Sequence, residues 1–526
     1  MAAPLRDLDD ASELDADRIE IGPRIAWVLR MARLGSDAGR HGGAPTQTKM
    51  VELLARSGYH VNATLLSRVE AGARRLGIVA DGYEVVLGLK PGQLRAPIDI
   101  LCRTFPYAPP DMATDLLHLR GCDSHDGAAV IAAVGSTSER LRGTAYDGGD
   151  WLAWSRALSC PRAAGFPTWL LEPWLDRLVS ELGRSVGPAF ATRYEALALL
   201  RCGPYGDFVL RAAQRWVADP HVQVLYDLMS AVSERPEPAV LGWTCSLLSD
   251  DRPQVVHGAV LALENMFEVG GLTPGDWDGV LDEILAAYAA APPGSDVHAS
   301  LSKILAALPP AQRRRAGAEC NKRGLMPLVR PRRLDRKGRK AATNPQWVMA
   351  QRLASDITTE VGMERQPILE RLLFEAVFEH RETRAVTSLF LLAALPFTGA
   401  VSQRLYAYAL SEAPEDQRVS VLERLMIMQN GAPPPESSGW PDVRDPDSVV
   451  VHVTLQAQSG RPPNPDHLDL LLGAEERHRR RALYAAGLAG DDWLRRVAGP
   501  SGPADERGAA TWWLGQGRLV NDVAPR

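Results

Sequence analysis

The sequence predicts an all-α protein, and three observations carry that prediction. Along most of the 526 residues, apolar side chains recur three and four positions apart, which is the spacing of one buried helix face. Residues that cap helix N-termini precede these runs, and glycine or proline follows them. Alternating β-branched runs hardly occur, and residues 448–455 are the one segment that favours a strand. We therefore expect a small N-terminal helical domain followed by a large body of packed helices.

The composition limits where the chain can carry strong charge. Apolar residues make up 45% and charged residues 23%, which is ordinary for a soluble globular protein with room for several domains. The net charge is −5, so affinity for a polyanion must come from local clusters of basic residues. Arginine supplies nearly all of the positive charge, a usage that fits a bacterium with a GC-rich genome.

Three features predict a cytoplasmic protein that has no membrane partner. The N-terminus is acidic, whereas a secretory leader begins with basic residues. The most apolar stretch, residues 385–401, contains Pro396 and is too short to span a bilayer, so it reads as buried helix. The six cysteines are scattered without a C-x-x-C pair, and we expect them to be reduced thiols in the core.

Residues 21–100 read as a module of five short helices. Pro23 sits where the first helix begins, a position at which a missing N–H costs little. Thr46 and Asn62 are N-cap residues for the second and third helices. Gly72 follows the third helix, where a left-handed stop is expected. A fourth and a fifth helix follow, separated by a Pro-Gly pair.

The second and third helices carry the most specific chemistry in the chain. A short glycine-containing turn joins them, and the third helix places Leu65, Leu66 and Val69 on one face. Small and polar residues occupy its opposite, leading face. Two short helices in this arrangement form the helix-turn-helix that enters a DNA major groove.

Four groups of residues in the module carry a family resemblance: 21–25 with 29–30, 46–47, 66–72, and 86–89 with 91–94. Through them the module resembles the Cro/lambda-repressor-like (Xre-type) helix-turn-helix transcriptional regulators. The chain departs from the family pattern in three places. The link at residues 35–45 is long and glycine-rich, Ala71 replaces the arginine that is common there, and the proline usual soon afterwards is missing.

The resemblance, together with the chemistry of the side chains, implies binding to double-stranded DNA as a homodimer on a pseudo-palindromic site. Residues at the start of the second helix would bind phosphate, those of the third would face the groove, and two arginines after the turn would contact the backbone. Arg68 would reach guanine or grip phosphate. Glu70 is expected to be structural and to pair with an arginine inside the module. The implied DNA-binding residues are Gln47, Thr48, Asn62, Thr64, Ser67, Arg68, Arg74 and Arg75.

The remainder of the chain reads as a mostly helical, repeat-like body. Asp-Pro-x-Val at residues 219–222 and Arg-Pro-Gln-Val at 252–255 each lead into an apolar helix, and their spacing is near that of one helix pair. The pattern resembles HEAT-like α-solenoids, with a tetratricopeptide-type stack as the alternative. The predicted divisions are a disordered acidic arm at 1–20, the module at 21–100, a hinge and connector at 101–150, helical repeats at 151–312, a basic linker at 313–346 and a C-terminal helical region at 347–526.

Residues 313–340 form the strongest charge run, with twelve basic residues against two acidic ones. Three interpretations stay open: a second contact to DNA, a site for an anionic ligand such as a nucleotide, and a solvated linker. The residues proposed for a second DNA or anion contact are Arg330, Arg332, Arg333, Arg336, Lys337, Arg339 and Lys340.

Motifs for catalysis are missing from the sequence. No lysine follows a glycine, which excludes a phosphate-binding loop of the Walker type, and neither H-E-x-x-H nor G-x-S-x-G occurs. Cys122-x-x-His125 has no second ligand pair. We expect no enzyme activity, cofactor or metal. The leading prediction is a dimeric, sequence-specific DNA-binding transcriptional regulator whose helical body dimerises or senses a small-molecule, nucleotide or peptide effector. The alternative is a helical-repeat scaffold that binds a protein or peptide, with DNA binding secondary.

Overall fold

A computed structural model of the chain describes residues 8–14, 18–35, 46–105, 127–143, 146–160, 163, 165–328, 344–379, 381–428, 434 and 445–522. Within these ranges the regular structure consists of twenty-six α-helices and short 3-10 turns, with a single isolated bridge between Ser185 and Val520. The all-α prediction is confirmed for the part of the chain that the structure describes.

The chain divides into two compact units. The first comprises residues 1–154, 184–195 and 335–526, and the second comprises 155–183 and 196–334. The N-terminal helices, which we call the head, lie in the first unit: α1 (Ile21–Gly35), α2 (Gln47–Arg56), α3 (Ala63–Glu70), α4 (Gly77–Leu87) and α5 (Arg95–Thr104).

The other helices of the first unit are mostly C-terminal, and the residues of α7 and α9 are divided between the two units. They are α6 (Gly127–Arg142), α7 (Gly148–Ser159), α9 (Gly187–Cys202), α17 (Pro345–Glu360), α18 (Pro367–Phe378), α19 (Glu382–Ala393), α20 (Thr398–Ser411), α21 (Glu415–Met428), α22 (Pro446–Gln458), α23 (Pro465–Leu472), α24 (Glu476–Ala489), α25 (Trp493–Ala498) and α26 (Ala504–Gln516).

The second unit is a succession of short helices joined by turns. Its helices are α8 (Thr168–Leu182), α10 (Gly206–Ala218), α11 (Tyr226–Ser233), α12 (Pro238–Ser246), α13 (Pro253–Val269), α14 (Pro274–Ala290), α15 (Asp296–Ala307) and α16 (Pro310–Lys322). Pro253 opens α13 as the predicted pattern requires. Pro220, in contrast, lies in the turn before α11 and opens no helix. The HEAT-like or tetratricopeptide-like architecture stays a prediction.

The head is mounted on C-terminal helices of the same unit. Nearly every residue of α1 is buried, because α1 packs against α3, α4 and α5 on one side and against α18 on the other. Trp27 is 2% exposed, and its indole Nε1 donates to Gln366 at 2.9 Å. The helix α5 packs on α19 and crosses the predicted domain boundary at residue 100. The module predicted at 21–100 is therefore part of a larger compact unit.

A buried ion network connects the head to α18 within this unit. Arg24 is fully buried, and its Nη1 and Nη2 donate to the two carboxylate oxygens of Glu375 at 2.6 and 2.8 Å. Its Nε and Nη2 donate to Asp10 Oδ2 at 2.8 and 2.6 Å. Arg371 Nε and Ser388 Oγ also donate to Glu375, at 2.8 and 2.7 Å. Every charge in the network thus faces an opposite charge.

The described part of the N-terminal arm differs from the predicted disordered segment. Asp10 is 5% exposed, and Leu14 and Ile19 are also buried. Arg371 Nη1 donates to the backbone oxygen of Ser12 at 2.9 Å. The abundance of acidic residues suggested a solvated tail. Asp10 is instead hydrogen-bonded to the buried Arg24 and interacts electrostatically with Arg371, which is distant in sequence.

The predicted strand at residues 448–455 is wrong, because the segment belongs to α22. Asp445 caps this helix by accepting the Ser448 N–H at 3.1 Å, and Pro446 occupies its first turn. Buried side chains lie all around α22, including Val449, Val451 and Thr454. A helix that is buried on every side needs no polar face. Its sequence therefore lacks the periodic polar positions that would have distinguished it from a strand.

Two predictions about apolar and sulfur-containing residues have different outcomes. No described helix is both long and apolar enough to cross a bilayer, and residues 385–401 form parts of α19 and α20 around Pro396. Cys102, Cys202, Cys245 and Cys320 are not disulfide-bonded; three of them are buried as expected, and Cys202 is exposed. Cys160 is disulfide-bonded, so the prediction of six reduced cysteines is wrong at that residue.

Candidate nucleic-acid interface

The predicted helix-turn-helix is formed by α2, a short turn and α3. Thr46 Oγ1 accepts the Lys49 N–H at 3.2 Å, and Asn62 Oδ1 accepts the Leu65 N–H at 2.8 Å. Both N-cap predictions are confirmed. The turn between the helices includes Gly58, at a φ of 81° that favours glycine.

Close backbone packing positions the end of α3. Gly72 has a φ of 74°, as predicted for the left-handed stop. A Cβ atom on Gly22 would lie 2.7 Å from the Gly72 carbonyl oxygen, so α1 approaches this stop more closely than a side chain allows. The glycines at both positions therefore fix the distance between α1 and the turn after α3.

The two faces of α3 differ completely in exposure. Leu66 and Val69 are 0% and 1% exposed and pack against the rest of the head. The opposite face is open to solvent and holds Asn62, Thr64, Ser67 and Arg68. All four predicted groove-facing residues therefore share one exposed surface, which we call the α3 face.

Glu70 anchors α3 from the inside. Its carboxylate is buried and accepts two hydrogen bonds from Arg33, from Nε at 2.7 Å and from Nη2 at 2.8 Å. The Tyr83 hydroxyl also donates to it. Burial raises the pKa of Glu70, but the bonds from Arg33 outweigh burial and hold the pKa below its ordinary value. The predicted pairing of Glu70 with an arginine of the module is confirmed.

Gln47 belongs to the same internal network, in contrast to the predicted phosphate contact. Its side-chain Nε2 donates to Glu70 Oε2 at 2.8 Å. The amide donor therefore orients α2 on α3 and is not directed at a ligand. The predicted backbone contact is still open, because the first N–H groups of a helix have no intrahelical acceptor. Thr48, in that first turn, is exposed.

The two arginines that follow Gly72 lie in opposite environments. Arg74 is exposed, as a phosphate contact requires. Arg75 is 3% exposed and its Nη1 donates to Cys102 Sγ at 3.0 Å, so its predicted contact with the DNA backbone is wrong. Its Nε and Nη2 are buried without a hydrogen-bond partner in the described structure. A cavity of about 10 Å³ beside Arg75, lined also by Asp99, has room for about one water molecule.

The surface around the α3 face is locally basic although the whole chain is acidic. Between residues 46 and 75 the acidic side chains are Glu52 and the buried Glu70. Glu52 pairs with Lys49 at 2.9 Å. Arg56, Arg68 and Arg74 are exposed. The head thus provides the local positive cluster that a net charge of −5 makes necessary for binding a polyanion.

The residues predicted for a second DNA or anion contact lie outside the described residues. These are Arg330, Arg332, Arg333, Arg336, Lys337, Arg339 and Lys340. The link at 36–45 and the Cys122-x-x-His125 motif also lie outside them. The start of the basic run is described and is helical, because Arg313, Arg314 and Arg315 belong to α16. In the described ranges, no cluster of three or more histidine, cysteine or acidic side chains is arranged to hold a metal ion.

The sequence predicted an arginine partner for Glu70 but did not identify which arginine it is, and it gave no signal for the partners of Arg24. Arg24 and Arg33 lie on an apolar-looking helix and both are buried in ion pairs. Arginines in a helix usually face solvent. Arg24 and Arg33 could therefore be recognised as buried only if their acidic partners were already known. Comparison of the chain with protein-family models, with curated proteins and with solved structures finds no match.

Proposed function

We propose that the protein is a sequence-specific DNA-binding transcriptional regulator in which α3 enters the major groove. One observation carries the proposal: the inner face of α3 is held by buried contacts, while its outer face is polar and exposed. Leu66, Val69 and Glu70 fix α3 from within. The α3 face is exposed and free to hydrogen-bond with base edges.

The side chains of the α3 face have the chemistry for base recognition. A guanidinium such as that of Arg68 can donate two parallel hydrogen bonds to guanine O6 and N7. The Thr64 methyl group can contact a thymine methyl group, and Asn62 and Ser67 can donate or accept. Phosphate binding is assigned to the N-terminus of α2 with Thr48, and to Arg74.

The packing of α1 on α18 can couple conformational changes in the C-terminal helices to the position of α3. Arg24 joins α1 to Glu375 of α18, and Arg33 joins α1 to Glu70 at the end of α3. A change that moves α18 would thereby act on α3 through one helix. The protein is proposed to act in the cytoplasm as a homodimer, with recognition helices about one turn of DNA apart.

Selection of bound duplexes from a genomic fragment library, followed by fluorescence titration of the selected site, tests the proposal. Arg68→Ala should weaken binding to that site by about 1–3 kcal/mol if Arg68 contacts a base. Arg56→Ala is the matched control for loss of one exposed arginine. Arg56 lies on α2 outside the α3 face, so its loss should weaken binding to all duplexes alike and keep the preference for the selected site. Equal binding of all duplexes at moderate salt would rule out the proposal.

A second candidate function is a scaffold that binds a protein or peptide. Trp169 and Leu170 at the start of α8 favour it, because they are 69% and 45% exposed, and large exposed apolar pairs mark interaction surfaces. Trp169→Ala should abolish recovery of a stoichiometric protein partner and leave operator binding unchanged if the scaffold role holds. Recovery of the same partner by the variant would exclude this surface.

A further inference from the structure

One concave site in the second unit has a charge pattern that the proposed DNA interface does not use. A half-open cavity of about 300 Å³ lies along α16. Arg313, Arg314 and Asn321 line it from the helix, and Pro327 and Leu328 line it from the loop that follows. Its volume lies at the lower end of the range for small-molecule sites.

The two arginines of this cavity differ from most others in the second unit. Arg315, the next residue along, pairs with Asp278 and Asp282 on α14, at 3.5 and 3.1 Å. Carboxylate partners are also found for Arg177, Arg201, Arg215, Arg235, Arg252 and Arg323. Among the described residues, the side chains of Arg313 and Arg314 have no hydrogen-bond or ion-pair partner, although the Arg313 backbone N–H donates to the Pro309 carbonyl oxygen within the helix.

The other described residues that line the cavity add no negative charge, because none of them is acidic. Cys320 is buried and lines the cavity, and burial raises the pKa of its thiol, so the sulfur is neutral at physiological pH. Ala306, Pro327 and Leu328 supply apolar surface. The cavity therefore combines two unneutralised cations, an amide and an apolar wall.

We propose that this cavity binds an organic phosphate monoester about the size of a mononucleotide. The guanidinium groups of two arginines that line one cavity match the charge of a dianionic phosphate, and the planar donor fork of each can bind two phosphate oxygens. The Asn321 amide supplies a further donor. The wall formed by Ala306, Pro327 and Leu328 covers the organic part of the ligand, which inorganic phosphate lacks. This inference stands whether or not the chain binds DNA.

Gly317 allows the cavity to be filled without changing its charge. It lines the cavity from the middle of α16, and a Cβ atom added there would meet nothing within 4 Å. Leucine is also a better helix former than glycine. Gly317→Leu should therefore keep the fold and occupy the ligand volume.

Isothermal titration of the full chain with the four common nucleoside 5′-monophosphates, the matching nucleosides and inorganic phosphate tests the proposal. At least one monophosphate should bind, while its nucleoside and inorganic phosphate bind at least tenfold more weakly or not at all. The double variant R313A/R314A should lose about tenfold or more in affinity for each arginine removed. Gly317→Leu should also abolish binding, and Arg315→Ala should preserve it.

Several outcomes would overturn the proposal. These are no binding by any monophosphate at millimolar concentration, equal binding by inorganic phosphate, and unchanged binding by R313A/R314A. Loss of DNA affinity in R313A/R314A, with no nucleotide binding by the parent chain, would reassign the two arginines to a nucleic-acid contact. Circular dichroism and thermal unfolding of each variant identify any loss that comes from misfolding.

Discussion

The head contains two sets of polar side chains, and they differ in where their hydrogen bonds end. The inner set includes Arg24, Arg33 and Glu70, all buried and bonded to other parts of the protein. The outer set is the α3 face, whose side chains are exposed to solvent; within it, the Asn62 Oδ1 also caps α3 by accepting the Leu65 N–H. The inner set holds α3 in place and the outer set is available for a ligand. Polarity alone therefore does not identify a binding residue, and the position of its partners decides the role.

The largest loss of stability is expected at Glu375, because two buried arginines share its carboxylate. Glu375→Ala would leave Arg24 and Arg371 buried without their shared carboxylate. Breaking a buried pair in this way costs about 3–5 kcal/mol. Urea unfolding should show a corresponding fall in the free energy of unfolding.

The control for that change is an exposed pair. Glu52→Ala removes the partner of Lys49 on the surface of α2 and should leave the free energy of unfolding unchanged. Equal stability of Glu375→Ala and the parent chain would contradict the assignment of Arg24 and Glu375 to a network that holds the head in place.

A smaller loss is expected for Glu70, which has one arginine partner inside the head. Glu70→Ala leaves Arg33 buried and also removes the acceptor of Gln47 and Tyr83. The free energy of unfolding should fall by about 3 kcal/mol. Hydrogen exchange should show faster opening of α3 than of α22. Unchanged protection of the α3 amides would mean that Glu70 does not anchor the helix.

Acid should destabilise the protein through the same inner set. Interactions with arginines hold the pKa values of Asp10, Glu70 and Glu375 below their ordinary values in the folded state. Their contribution is present above the unfolded pKa values, near 4, and is lost as pH falls through the lower folded values. Chemical unfolding measured between pH 7 and pH 2 should show this decline, and Glu375→Gln should flatten it. A steeper decline in the variant would contradict the sign of the effect.

The smallest effects concern Arg74 and Arg75, which are adjacent in sequence and opposite in exposure. Arg74→Ala should weaken DNA binding for all sequences alike and lower the salt slope by about 1. Arg75→Met should change neither DNA affinity nor, by more than about 1 kcal/mol, stability, because two buried nitrogens of Arg75 have no partner. Titrations of both variants at several salt concentrations make the comparison. A salt-slope change in Arg75→Met would place that residue on DNA after all.

Much of the head could be predicted because its signals are local. Thr46, Asn62 and Gly72 act within one helical turn of themselves, and short-range hydrogen bonds or backbone geometry decide their roles. The alternation of Leu66 and Val69 with Ser67 and Arg68 likewise follows from helix geometry alone.

The pairing of Glu70 with an arginine of the module was predicted, but the network around Arg24 could not be predicted, because Arg24 and Glu375 are distant in sequence. Arg24 and Glu375 are 351 positions apart, and no local pattern connects them. Arg74 and Arg75 look alike in sequence, and only the path of the chain after Gly72 separates them. The strand prediction for residues 448–455 is wrong for a related reason. Burial on every side of α22 removes the polar positions that distinguish a helix from a strand.

The specificity of DNA binding tests the central claim most directly. The Kd of the full chain should be measured for its selected duplex and for a shuffled duplex of the same composition, at one salt concentration. The parent chain should prefer the selected duplex by at least about 10³-fold. Ser67→Ala combined with Arg68→Ala should remove most of that preference without changing the free energy of unfolding. A parent chain that binds both duplexes equally, or a double variant that keeps the full preference, would contradict the assignment of the α3 face to base recognition.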